Sequence, residues 1–88
     1  MLRISVIHDS EETIRLQVEG SLVGPWVDEL RRQSDEAMSR ARTVELDLDK
    51  LWFIDAAGVV LLRDLADGRV AYLNCSTFIS QQLQENNV

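Results

Sequence analysis

The sequence predicts a single α/β domain spanning residues 1–88: a mostly parallel sheet of about four strands, with an N-terminal hairpin and helices packed mainly on one face. Its 88 residues are enough for one domain and too few for two. Strand-like alternation and helix-like spacing follow one another as β-β-α-β-α-β-α, the order of a parallel sheet with helical crossovers behind an opening hairpin. The first three strands alternate apolar with polar residues, whereas strands covered on both faces read as near-continuous apolar runs. One sheet face is therefore expected to be polar and wet. A composition of 45% hydrophobic and 27% charged residues is ordinary for a globular protein. Disorder is expected only at the ends, where Gln84-Glu85-Asn86-Asn87 reads as a polar tail.

Leu2, Ile4 and Val6 alternate with Arg3 and Ser5, which predicts a strand to His8. Asp9-Ser10-Glu11-Glu12 is a polar turn. Thr13 to Glu19 then alternates again, with Ile14, Leu16 and Val18 on one side, so the two segments read as a hairpin. Gly20 is expected to end that strand, with Ser21-Leu22-Val23-Gly24 as a connector. Pro25 suits the first position of a helix, where its missing N–H is not needed. Val27, Leu30, Ala37, Met38 and Ala41 follow at helical spacing. Asp28–Arg32, Glu36–Arg40 and Glu29–Arg32 are spaced to pair along the exposed face.

Thr43 to Asp49 is the cleanest strand, with Val44, Leu46 and Leu48 set against Glu45, Asp47 and Asp49. The apolar run Leu51-Trp52-Phe53-Ile54 leads through Asp55-Ala56-Ala57-Gly58 into a helix through Val59, Val60, Leu61, Leu62, Leu65 and Ala66. Gly68 is placed to end that helix in a left-handed cap. Arg69 to Asn74 reads as the last strand. Ser76 or Thr77 can cap a closing amphipathic helix with Phe78, Ile79 and Leu83 inward.

Several function classes are disfavoured at this level. A net charge of -6, with no Lys/Arg stripe, repels phosphate backbones and anionic lipid, so neither nucleic acid nor a membrane surface is expected as a partner. A basic patch on another protein is the better complement. No apolar run is long enough to span a membrane, and Leu2 to Val6 alternates instead of forming a signal-peptide core. A cytoplasmic protein is expected, and the single cysteine, Cys75, fits a reducing compartment. His8 and Cys75 are alone of their kinds, so no His/Cys metal set exists. A Cys–His couple stays open against plain structural roles for both. Glu45, Asp47 and Asp49 read as a solvated strand face, with Arg15 a cross-strand partner, more than as a metal cluster. No phosphate-binding loop or dinucleotide fingerprint is present, and no enzyme activity is expected.

Leu51-Trp52-Phe53-Ile54-Asp55-Ala56-Ala57-Gly58 is the unusual segment. Asp55 stands where its carboxylate can cap the free N–H groups of a helix. Ala56 and Ala57 are too small to cover them, and Gly58 permits close backbone approach. Such a helix start is either a tight packing joint or a docking surface. Trp52 is likewise either a core aromatic or a binding anchor.

Val44-Glu45-Leu46-Asp47-Leu48, followed by Phe53-Ile54-Asp55-Ala56-Ala57-Gly58-Val59-Val60-Leu61-Leu62, resembles the signature of the STAS domain, a family named for sulphate transporters and anti-sigma-factor antagonists. Val18-Glu19-Gly20-Ser21-Leu22 resembles that family's strand ending in Gly-x-Leu, and Asn74-Cys75-Ser76 fits its strand-to-helix corner. The resemblance implies a non-enzymatic bacterial regulator that works by binding a protein, such as an anti-sigma factor with kinase activity. In the family that partner phosphorylates a Ser or Thr directly after the Asp of Asp-Ser-x-Gly. Here Ala56 holds that position and Ala57 follows, and neither can accept phosphate. Val23 stands where family members commonly carry an acidic residue. The implied surface of Val23, Gly24, Trp52, Phe53, Asp55, Ala56, Ala57 and Gly58 therefore keeps docking and loses the usual phospho-switch. The alternative implied by the family is an accessory subunit on the ATPase of a bacterial lipid ABC transporter. Nucleotide or lipid binding, known for other members, finds no Gly-rich cradle or basic grip here, and no cofactor is expected. A wet face and an edge strand leave room for a weak homodimer.

Overall fold

Alternation in Leu2–Asp9 (β1) and Thr13–Leu22 (β2) produces an antiparallel hairpin in the computed structural model, which describes residues 1–85. Ser10 closes the turn, its hydroxyl donating to the Thr13 carbonyl (3.0 Å) and accepting from the Thr13 amide (3.1 Å). The chain continues through Pro25–Arg40 (α1), Thr43–Asp47 (β3), Leu51–Ile54 (β4), Ala56–Ala66 (α2), Val70–Leu73 (β5) and Thr77–Glu85 (α3). Gln84 and Glu85 thus belong to a helix instead of a tail, and Asn86 and Asn87 lie outside the described residues.

The sheet runs β1-β2-β3-β5, with β1 antiparallel to β2 and the other pairs parallel. The expected class holds, with one strand more than expected. Leu51–Ile54 is itself a strand, parallel to β2. The reason lies in β2, whose 10 residues hold two partners end to end: β3 pairs with Thr13 to Gln17, and β4 with Gly20 to Leu22. Gly20 therefore does not end the strand. It sits inside β2 at φ 102°, where β1, β2 and β4 meet and the register shifts.

Ile14, Leu16 and Val18 of β2 and Val44, Leu46 and Leu48 at β3 are buried on one face beneath Leu30 of α1 and Leu61 and Leu62 of α2. Each such side chain contributes about 1.5–3 kcal/mol by leaving water. The opposite face is the wet one that the alternation predicts. On it the Thr13 and Thr43 hydroxyls lie 3.0 Å apart, and Arg15 donates to Glu45 from Nε (3.0 Å) and a terminal nitrogen (2.8 Å). Asp47 accepts from the Asp49 amide and the Asn74 side chain. Half-exposed pairs of this kind contribute little. Arg15→Met is expected to lower stability by no more than about 1 kcal/mol in urea unfolding.

Other details depart from expectation for local reasons. Gly68 is not left-handed; its amide donates to the Leu65 carbonyl (3.1 Å), which tightens the end of α2 without a reversal. Arg69, expected to be part of a strand, instead reaches back to the end of α1 and donates to the carbonyls of Met38, Ala41 and Arg42. Of the α1 charges, Arg32 pairs with Glu29 and Glu36, and Arg40 with Asp9. The Arg32 guanidinium and then the Gln33 amide hold the Glu29 carboxyl below its ordinary range. Ser76 caps α3 by accepting from the Ile79 amide (3.2 Å). Ile79 turns inward while Phe78 is half-exposed, because α3 buries a narrower stripe than its apolar content suggests. Val6 is half-exposed too, since it lies on the edge strand.

Candidate functional site

β4 stops at Ile54 because the next residue, Asp55, turns the chain into α2. Its backbone stays extended (φ -92°, ψ -178°) and its side chain caps the helix. One carboxylate oxygen accepts from the Gly58 amide at 2.8 Å, and the other accepts from the Gly24 amide at 3.0 Å. The Asp55 amide donates to the Leu22 carbonyl (3.2 Å), and its carbonyl accepts from Val59 (3.0 Å). Gly24 is the residue before α1, a helix with no side-chain cap of its own. One carboxylate thus serves the N-termini of both α1 and α2, each the positive end of a helix dipole.

Small residues surround this clamp. Gly24 has φ 56° and ψ -131°, a conformation open to glycine and strained for other residues. Gly58 is buried, and a Cβ there would stand 2.8 Å from the Leu22 carbonyl oxygen, so α2 sits directly on the end of β2. Ala56 and Ala57 are exposed, as are Gly24 and Pro25, while Val23 is half-buried. One turn further on, Val60 is 55% exposed. At this end the helix start is both a packing joint, through Gly58, and an uncovered surface, through Ala56 and Ala57.

The sequence-predicted set divides in two. Val23, Gly24, Asp55, Ala56, Ala57 and Gly58 come together at the strand ends. Trp52 and Phe53 do not join them. Leu22 and Ile54 are paired and both point into the core, so their neighbours Ser21 and Phe53, also paired, lie toward the open face. Trp52 is the extra residue of a bulge, opposite the single step from Gly20 to Ser21. It is 72% exposed, which excludes the core aromatic, and its indole N–H donates to the Ser21 hydroxyl at 3.0 Å. Periodicity could not find this, because four apolar residues in a row give no phase. Trp26 and Val60 are also exposed at the starts of α1 and α2; Val60 reads from the sequence as one of the helix's apolar positions, and nothing in the local pattern singles out Trp26.

The single histidine and the single cysteine lie far apart. His8 lies next to the end of β1 and Cys75 follows β5, at opposite edges of the sheet. Three strand spacings, roughly 14 Å, separate those edges, so the two cannot act as a couple. The Cys75 sulfur instead accepts from the Ser80 hydroxyl (3.4 Å). Among the described residues no group of His, Cys, Asp and Glu could hold a metal ion, and no helix is long and apolar enough to cross a membrane.

No family model matches the sequence, and no curated protein matches it significantly. Solved structures do match. The unphosphorylated form of the anti-sigma-factor antagonist SpoIIAA superposes with a TM-score of 0.70 at 24% identity, over 93% of this chain and 82% of that one. The Bacillus cell fate determinant SpoIIAA in its phosphorylated form gives 0.66 at 22% identity, over 98% and 83%. The antisigma-factor antagonist STAS domain from Rhodobacter sphaeroides gives 0.63 at 15% identity, over 83% and 86%. These likenesses span the hairpin, the mixed sheet and the helices together, and the chain has the fold of a STAS domain.

Proposed function

We propose that this chain is a regulatory binding module that docks a protein partner at the start of α2 and the neighbouring Val23–Pro25 turn. The observation that carries the reading is the exposed pair Ala56 and Ala57 above the Asp55 clamp. Two methyl groups let a partner backbone come close, and the clamp fixes the surface before binding, which lowers the ordering cost. The likeness to anti-sigma-factor antagonists supports an anti-sigma factor or a related kinase-like regulator as the partner. SpoIIAA exists in phosphorylated and unphosphorylated forms. In this chain the position that the family motif assigns to the phosphoacceptor is Ala56, so docking here is constitutive.

The test is co-purification of the tagged chain from its own organism, followed by measurement of affinity for the recovered regulator. Ala57→Arg is expected to weaken that affinity by a factor of about 100 or more with an unchanged melting curve, since Ala57 is exposed. Ala56→Ser should then allow a kinase-type partner to add phosphate at this position. Unchanged affinity in Ala57→Arg rejects the site. Recovery of a transporter ATPase in place of a regulator rejects the antagonist role.

A further inference from the structure

The open face of the sheet carries a cavity beside Gly20, which stands across the ladder from Leu2 on one side and Leu51 on the other. Its volume is about 400 Å³, and Met1, Arg3, Glu19, Gly20, Lys50 and Trp52 line it. This is within the range of about 300–1,000 Å³ in which small-molecule sites fall. It lies apart from the α2 docking surface and shares none of that surface's residues.

Trp52 forms the aromatic wall. The bulge and the bond from its indole N–H to Ser21 hold an exposed ring in one orientation, so a flat group stacking on it orders little that is not already ordered. Met1 supplies a second, adaptable apolar wall. The rim is ionic. Arg3 and Lys50 oppose one carboxylate, Glu19, whose contact with the Lys50 amine is loose at 3.9 Å. Arg3 makes no ion pair among the described residues. In a chain of net charge -6, this cavity is a local site of excess positive charge.

These features together select a ligand class. The ring wall favours a flat apolar body, the volume favours a small molecule, and the two cations against one acid favour a single negative charge. We propose that the cavity binds a small aromatic carboxylate, its ring against Trp52 and Met1 and its carboxylate toward Arg3 and Lys50. Glu19 on the rim disfavours groups of higher negative charge.

The experiment titrates the full chain with 2-naphthoate, neutral 2-naphthamide and cationic 2-naphthylmethylammonium, following the Trp52 indole N–H and backbone amides by NMR. Saturable shifts at Trp52 and Gly20 are expected, with 2-naphthoate binding about tenfold more tightly than the cation. Arg3→Gln and Lys50→Gln should each weaken 2-naphthoate about threefold or more, and Glu19→Gln should strengthen it. Trp52→Ala, at an exposed position, should abolish the shifts without altering the rest of the spectrum. Equal affinity for all three probes overturns the proposal, as does the absence of saturation at millimolar probe. Shifts centred on Ala56 and Ala57, or binding unchanged in Trp52→Ala, overturn it as well and leave the docking surface to be judged by its own test.

Discussion

Asp55→Ala is expected to lower stability by about 2–3 kcal/mol, several times the effect of an ordinary surface substitution. Alanine removes both acceptor oxygens at once, leaving the Gly58 amide on α2 and the Gly24 amide before α1 without their partner. Losing a helix cap alone costs about 0.5–2 kcal/mol, and a hydrogen bond to a charged acceptor contributes about 1.5–3 kcal/mol. Gly24 is exposed, so water replaces part of its bond and the sum stays below simple addition. Gly58 is buried against Leu22 and water replaces less. In a domain of this size the melting temperature should fall by roughly 10–20 °C. Asp55→Asn keeps one acceptor oxygen and should lose about half as much. Thermal and urea unfolding followed by circular dichroism measure all three proteins. Equal stability of wild type and Asp55→Ala would show that the clamp holds nothing. The consequence for function follows from geometry: with the clamp gone, the Val23–Pro25 turn is no longer fixed relative to Ala56 and Ala57. Partner affinity should then fall even though no contacting side chain has changed.

That clamp also shows how far the sequence could be read. Asp55 as a cap follows from its place between an apolar run and a helix, since an acidic residue there finds free N–H groups whatever the tertiary structure. Its second bond, to Gly24, joins segments 31 residues apart and leaves no trace in local pattern. The same division holds across the fold. β2 and β3 are legible because alternation is enforced by a core on one face and water on the other. β4 is not, because its bulge breaks the alternation and leaves four apolar residues with no period. Gly20 reads as a terminator, yet it marks the point where one strand changes partners. Arg69 is unreadable for the opposite reason, as its guanidinium works at the end of a helix some 27–31 residues earlier. The Gly-x-Leu, Asp55 and Gly58 elements of the family resemblance sit where backbones touch most closely. A short motif therefore locates the strand-end site better than periodicity does.

Gly20→Ala is expected to cost about 3–5 kcal/mol, the largest effect of any single methyl group considered for this chain. Two independent terms add. The backbone at φ 102° is one that side-chain-bearing residues adopt only with strain, about 1–3 kcal/mol. The new Cβ would also collide with the carbonyl oxygen of Met1, and overpacking adds about 1–3 kcal/mol more. Ordinary relaxation offers little relief, because that carbonyl is already held as the acceptor of the Ser21 amide (2.9 Å) and the Gly20 amide is tied to the Lys50 carbonyl (3.0 Å). Moving β1 away would break the first bond and uncover Leu2, the one buried residue of that strand. Gly24→Ala separates the two terms. It shares the strained backbone (φ 56°, ψ -131°) but has open space where the methyl would go, so it should cost only about 1–2 kcal/mol. Urea midpoints at constant slope give both values. A Gly20→Ala loss no larger than that of Gly24→Ala would mean that β1 yields freely at Met1. In that case the three-strand junction is not the rigid floor on which Trp52 and its cavity depend.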